Sequence, residues 1–270
     1  MPKGGLARRA TAIKQERVQG EGIVLLLDAG SALLGQWVSV RSAGGVMVEA
    51  MNAMGYDAMA VGEYDLAAGL GVVKQREKEA SFPFLSANLV TVGDDQPIVR
   101  PYVILERDGA SFGILGLTEP GTREVLEKLD RATLLDPVEV ARQYVSELRG
   151  KVDVLIVLSN LGLEEDKALA AAVAGIDIII GGNSRRLMKE PERVGNTLIV
   201  QQGYNGEWLG RLQVTYDADR QPVSFAAEAV ALTDSFGDDQ EMSALVKKWA
   251  ALYPTPTRRP TPTLTPQPGS

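Results

Sequence analysis

Polar side chains gather after apolar runs along this chain, and their types limit the chemistry open to them. Asp28 and Ser31 follow "GIVLLL", and Glu63, Tyr64 and Asp65 follow "YDAMAVG". Asn88 comes after "FPFLSA", Ser159 and Asn160 end "VDVLIVLSN", and Asn183 with Arg185 follows "IDIIIGG". In parallel α/β sheets the loops after the carboxyl ends of strands open on one crevice, so residues recurring there line one candidate site. Carboxylates, amides, a hydroxyl and a guanidinium can hold an oxyanion, with the planar cation and the amides as donors. They can also hold a hard cation such as Mg²⁺, Ca²⁺ or Mn²⁺ through oxygen. Asp, Asn and Gly after strands are ordinary turn formers as well, which is the plainer account of any single one.

The absent residue types exclude more. The 270 residues include no histidine and no cysteine. Imidazole is the commonest transition-metal ligand and the commonest general acid or base near neutrality. A Ser-His-Asp triad, a histidine zinc site, a Cys-His pair and a disulfide framework are therefore impossible. The formal charge of -7 lacks the basic stripe of a nucleic-acid surface, so no nucleic-acid partner is expected. No run approaches the ~18 apolar residues of a membrane span, so no membrane insertion is expected, and the opening "MPKGGLARRATAIKQERVQGEG" has no apolar core of an export signal.

The elements that must position these residues alternate. The spacing predicts a helix over 6–18 with Leu6, Ala10, Ile13 and Val18 on one face, a buried strand over 23–28, and a helix over "GGVMVEAMNAMG" ending at Gly55. A second buried strand, "YDAMAVG", leads into a glycine-weakened helix, "DLAAGLGVVKQREKEA". Asp108-Gly109 marks a hairpin turn. In "DPVEVARQYVSELRG", Asp136 is a candidate N-cap, Pro137 suits the first helical position, Glu139 completes a capping box, and Gly150 ends the helix. Strand, helix and strand follow in "VDVLIVLSN", "LEEDKALAAAVAG" and "IDIIIGG", then strands in "NTLIVQQG", "GRLQVTYD" and "VSFAAEAVAL", and a last helix over 240–252. This alternation is the pattern of an α/β domain with helices on a largely parallel sheet. Trp208 reads as packing, Lys247 and Lys248 as a solvated face, and Asp166 and Lys167 as decoration of an exposed helix face. Residues 1–252 form the expected domain, and 253–270, "YPTPTRRPTPTLTPQPGS", reads as a Pro/Thr-rich solvated linker or tail.

The ordered stretches "GGLARRA", "LLLDAGS", "MNAMGYDAMAVGEYDL", "FPFLSANL", "PYVILERDG", "VLSNLG", "IDIIIGGNSR" and "LIVQQGYNGEWLGRL" resemble the N-terminal domain of the bacterial 5'-nucleotidases, in the calcineurin-like metallophosphoesterase superfamily. The resemblance covers roughly residues 4 to 233. It implies a four-layer α/β/β/α sandwich carrying a two-metal phosphoester hydrolase site. Position by position, it puts the family's bridging aspartate on Ser31 and its Gly-Asn-His-Glu motif on Gly62, Glu63, Tyr64 and Asp65. A ligand histidine falls on Asn160, and the two histidines of Gly-Gly-His-Ser-His fall on Asn183 and Arg185. The family's opening Asp-x-His motif has no counterpart in this chain.

Each of those aligned metal ligands is thus replaced. Two-metal hydrolysis needs paired cations to clamp the attacking and leaving oxygens, and a guanidinium ~4 Å from a divalent ion opposes it by several kcal/mol. The expectation is a degenerate member with no catalytic residue and no metal, binding a phosphate-like anion through Asp28, Ser31, Glu63, Asn160, Asn183 and Arg185, or serving in an assembly. Two alternatives stay open. Arg185 could pair with Glu63 or Asp65 and fill the vacated cage, or Asp28, Glu63 and Asp65 could hold Mg²⁺ or Mn²⁺ for a remodelled hydrolase. Without the family's opening strand, the strand over 23–28 should have an open edge that a protein partner or an upstream segment completes, and the chain should be poorly soluble alone. The resemblance and the Pro/Thr stretch favour an extracytoplasmic full gene product, although this chain shows no signal peptide.

Overall fold

The computed structural model describes residues 4–20, 22–119, 131–217 and 222–256. Helix α1 (Leu6–Gln19) leads to the two-residue strand β1 (Leu27–Asp28), then α2 (Trp37–Arg41), α3 (Gly45–Met54), β2 (Ala58–Ala60), α4 (Glu63–Leu66) and α5 (Leu70–Glu79). Strands β3 (Phe84–Leu85), β4 (Leu89–Thr91), β5 (Tyr102–Arg107), β6 (Ala110–Thr118) and β7 (Ala132–Leu134) precede α6 (Pro137–Leu148). The chain continues through β8 (Val154–Asn160), α7 (Leu163–Ala172), β9 (Ile178–Gly181), β10 (Glu192–Val194), β11 (Thr197–Gln201), β12 (Trp208–Tyr216), β13 (Pro222–Ala231) and α8 (Gln240–Leu252).

Period-two burial sorts these elements into layers. A parallel sheet, β1-β2-β3, faces a six-stranded sheet ordered β10-β11-β9-β8-β6-β5, in which β6, β8, β9 and β11 run parallel. Ala58 and Ala60 of β2 meet Ile156 and Leu158 of β8 between the sheets. Met59 and Val61 point the other way, into a core with Ile13, Met51, Val73 and Met242 from helices α1, α3, α5 and α8. Leu155 and Val157 point to the far side, against Val145 and Leu148 of α6 and Leu169 of α7. The result is the four-layer α/β/β/α arrangement. Two further pairs, β12-β13 and β4-β7, flank it.

Local chemistry accounts for the element ends. Asp136 accepts the N–H groups of Val138 and Glu139 at 2.9 and 3.0 Å, with Pro137 at the first helical position, so the N-cap reading holds. Gly55, left-handed at φ 71°, ends α3. Asp108 and Gly109 both have positive φ, as a tight hairpin between β5 and β6 requires.

The structure departs from the sequence reading in several places. The strand over 23–28 shrinks to Leu27–Asp28, because ladder pairing exists only on its β2 side among the described residues. The glycine-weakened helix splits at Gly69, which takes φ 88° and separates α4 from α5. Val18 is 86% exposed and leaves the apolar face of α1, whose buried residues are Ala10, Ala12 and Ile13. Asp166 is fully buried rather than on an exposed face, while Lys167 pairs with Glu164 and Glu192. The Pro/Thr stretch from residue 257 onward lies outside the described residues.

Candidate functional site

The carboxyl ends of β1, β2, β6, β8 and β9 converge, and the loops beyond them bring distant polar residues together. Asp65 is the anchor. Its Oδ2 accepts the N–H of Ser31 at 2.7 Å and of Gly62 at 2.9 Å, and its Oδ1 accepts the N–H of Leu33 at 2.8 Å. Burial raises its carboxyl to about 6, against the pull of those three donors, which favour the charged form. Asp65 thereby welds the loop after β1 to the N-terminus of α4, and both its oxygens are engaged. Asp65 is thus a buried acceptor of backbone N–H groups, and the Arg185 guanidinium bonds Tyr64 instead.

Asn160, at the end of β8, is also fully buried. Its Oδ1 accepts the N–H of Glu63 at 3.1 Å and the hydroxyl of Ser31 at 3.2 Å, while its Nδ2 donates to the Ala29 carbonyl at 2.8 Å. The Ser31 hydroxyl in turn accepts the Tyr64 N–H at 3.4 Å. This packing depends on Gly62: a Cβ there would lie 2.4 Å from both the N and the Oγ of Ser31 and 2.7 Å from Asn160 Oδ1. No larger residue fits.

The loop after β9 supplies the rest. Asn183 and Arg185 both adopt left-handed backbone, φ 65° and 57°, a conformation uncommon outside glycine that clusters at functional loops. Ser184 donates its hydroxyl to Gln201 Oε1 at 2.7 Å and so pins the loop to β11. Asn183 donates its amide to the carboxylate of Glu119, and Arg185 donates from Nη2 to the Tyr64 hydroxyl at 2.9 Å. Both Arg185 and Tyr64 are exposed. The guanidinium therefore bonds a neutral oxygen, where a pairing with Glu63 or Asp65 was one expectation.

Asp28 lines the same crevice but turns toward its own loop, accepting the Gly30 N–H at 2.9 Å. Burial raises its carboxyl, and the Arg9 guanidinium opposes that rise. Two residues expected in the site face elsewhere. Asn88 is buried and bonds Thr118 and Leu135, tying β4 to β6 and β7. Ser159 is buried on the far side of the sheet, where its hydroxyl donates to Asp166. Glu119 was missed, because "GLTEPG" reads as a turn after a strand. Its carboxyl is raised by burial and by Glu63 and Glu165, with the Asn183 hydrogen bond acting against them.

A divalent pair needs several carboxylate or imidazole donors with free lone pairs. Among the described residues no group of three or more such side chains converges. Both oxygens of Asp65 already accept backbone N–H groups, Asn160 Oδ1 accepts two hydrogen bonds, and Arg185 brings a fixed positive charge.

The fold is a four-layer α/β/β/α sandwich whose strand ends meet in one crevice. No family model matches the chain, but individual relatives are plain. It is 33% identical over 279 residues to the 5'-nucleotidase of Bos taurus, a match covering 91% of this chain and 47% of that protein. Over 270 residues it is 31% identical to the snake venom 5'-nucleotidase of Gloydius brevicauda, covering 91% and 46%. It superposes on the 5'-nucleotidase precursor of Thermus thermophilus with a TM-score of 0.85 at 29% identity, covering 93% of this chain and 54% of that one. A calcineurin-like phosphoesterase of Bacillus subtilis, with a TM-score of 0.81 at 22% identity, shares the fold. The chain belongs to the 5'-nucleotidase family and fits its N-terminal domain. It spans about half the length of the curated relatives it matches.

Proposed function

We propose that this domain keeps the phosphoesterase scaffold of its relatives as a non-hydrolytic binding module, and that its crevice takes a phosphate-like oxyanion. The observation that carries this reading is the Arg185 guanidinium held at the mouth of the crevice by the Tyr64 hydroxyl at 2.9 Å, a contact that leaves its charge uncompensated by that partner. Arginine suits planar and tetrahedral oxyanions because its donors form a fixed fork. Asn183 and Ser31 stand beside it in the same crevice, with Asn160 buried beneath them as the support that orients Ser31. In this reading 1–252 is the binding domain, 253–270 a linker, and the full gene product is extracytoplasmic. No helix among the described residues is long and apolar enough to cross a membrane.

Calorimetric titration with inorganic phosphate, run beside an aryl-phosphate turnover assay in Mn²⁺ or Mg²⁺, tests the proposal. Saturable phosphate binding without turnover supports it. Chelator-sensitive turnover restored by Mn²⁺ would replace it with the remodelled hydrolase built on Asp28, Glu63 and Asp65.

A further inference from the structure

The six-stranded sheet ends on two unlike edges. At one, β10 is three residues long, its Glu192 and Arg193 are exposed, and Lys167 pairs with Glu192 at 2.8 Å, so short length and charge blunt it. At the other, β5 runs six residues, and its ladder partner among the described residues is β6 alone. β5 holds no lysine and no proline, and no bulge interrupts its register with β6. Tyr102, Val103, Ile104 and Leu105 are each half-buried, and charge comes only with Glu106 and Arg107 at its end. Most of this edge lacks the devices that guard an edge strand against pairing.

The ladder fixes which backbone groups face outward. Gly116 donates its N–H to the Pro101 carbonyl at 3.1 Å, so these two residues form a hydrogen-bonded pair. Alternation then makes hydrogen-bonded pairs of Val103 with Ile114, Leu105 with Phe112 and Arg107 with Ala110. The N–H and C=O groups of Tyr102, Ile104 and Glu106 therefore turn away from β6. The Glu106 carbonyl agrees, since it accepts the Arg107 guanidinium at 3.0 Å instead of a ladder bond. We infer that this edge pairs with the same edge of a second copy of the chain, antiparallel about a two-fold axis at Ile104, so that two six-stranded sheets become one.

The edge is self-complementary in that register. A two-fold axis makes one patch meet itself, and only the register centred on Ile104 pairs all three outward residues. Ile104 meets Ile104 of the copy, and Tyr102 meets Glu106 in both directions. Val103 then faces Leu105 on the other side of the sheet. No like charges stand directly opposite, an arrangement that would be destabilising. Tyr102 and Ile104 lie on the face toward α6, where the Tyr102 hydroxyl donates to Glu147 at 2.8 Å and its ring meets Tyr144 edge-on at 5.7 Å. Val103 and Leu105 lie on the face toward β2. The copy thus completes both half-buried apolar faces, and a ladder bond takes the place of the Arg107 contact with the Glu106 carbonyl. Six residues from each copy are a small contact beside the roughly 1,200–2,000 Å² of a stable interface, so the dimer is weak and reversible. None of the crevice residues named above lies on β5, and the inference does not rest on the oxyanion reading.

Sedimentation of the full chain from low micromolar to near-millimolar concentration, with hydrogen exchange read at Tyr102, Ile104 and Glu106, tests this. A monomer–dimer equilibrium should appear, with those three amides about tenfold or more slower to exchange in the dimer. Ile104→Pro removes an outward N–H and no bond to β6. It should weaken dimerisation about tenfold or more. The chain has no cysteine, so Ile104→Cys and Glu106→Cys can be compared under oxidised glutathione without background. Across the axis the two Cα atoms at 104 should lie about 5.5 Å apart, within disulfide reach, and those at 106 about 14 Å apart. Ile104→Cys should therefore cross-link well ahead of Glu106→Cys. A monomer at every concentration would overturn the inference. So would a dimer that Ile104→Pro leaves intact, or one that both cysteines cross-link equally, since either assigns the contact to another face. Should Ile104→Pro not fold, the two cysteine variants decide.

Discussion

Asp65 Oδ2 takes the backbone N–H of Ser31 from a loop 34 residues earlier, at 2.7 Å, while the same carboxylate caps its own helix through Gly62 at 2.9 Å. One acid side chain thus holds two walls of the crevice in register.

Removing it should be costly. Asp65→Ala strips the acceptor from three N–H groups at a fully buried site, and each buried donor left unpaired costs about 1–3 kcal/mol. The expected loss is several kcal/mol, read as a lower denaturant midpoint at unchanged slope. Asp65→Asn, which keeps one acceptor oxygen, should fall between it and the native chain.

Gly62→Ala adds one methyl where Ser31 and Asn160 already close the space. Overpacking of this kind costs roughly 1–3 kcal/mol. Because backbone must move, phosphate affinity should drop with stability, which parallel melting and titration would show. A variant with native affinity would contradict the packing described.

Asp166 carries the clearest pH signature. Burial raises its carboxyl to about 7, against the Ser159 hydrogen bond, and its Oδ2 has no hydrogen-bond partner among the described residues. Between about pH 4, where the unfolded carboxyl titrates, and pH 7 the folded chain keeps a proton that the unfolded chain has released. Stability therefore falls as pH rises through that window. Asp166→Asn removes the titration, so its stability profile should be flatter there, with the variant gaining on the native chain by a few kcal/mol toward pH 8. Equal slopes in paired denaturation series from pH 4 to 8 would rule this out.

Arg185→Ala should weaken phosphate binding roughly tenfold to a hundredfold, the worth of a charge-assisted hydrogen bond. Its thermal midpoint should stay near native, since the side chain is exposed. Tyr64→Phe removes only the hydroxyl that holds the guanidinium and should cost less. An unchanged affinity in Arg185→Ala places the anion elsewhere.

Divalent cations should leave the melting curve in place. A cation bound at a hundred times its dissociation constant stabilises by about 2.7 kcal/mol, a rise of several degrees in a domain this size. Millimolar Mn²⁺ or Mg²⁺ in a thermal scan gives the answer, and a saturable upward shift would restore the metal reading.

Much of the scaffold was legible because it rests on local patterns. The apolar run ending at Asn160 is buried along its whole length as β8, and the Asp136-Pro137 start of α6 is a cap made by neighbours in sequence. The site was legible only in outline. Asp65 and Asn160 belonged to the strand-end set, yet whether each faces the crevice or braces it depends on backbone N–H groups that distant loops bring up. Ser159 and Asn160 are adjacent, and the pleat sends one to Asp166 and the other to Ser31.

Composition alone removed imidazole and thiolate chemistry, and hydrophobic periodicity marked the longer helices and strands, since both act through residues near one another in the chain. The tertiary structure decided which polar groups are spent on backbone and that Arg185 meets a hydroxyl rather than a carboxylate. Those outcomes depend on partners 30 to 130 residues away, such as Ser31 with Asp65 and Asn160 and Tyr64 with Arg185. No pattern in the neighbouring sequence encodes them.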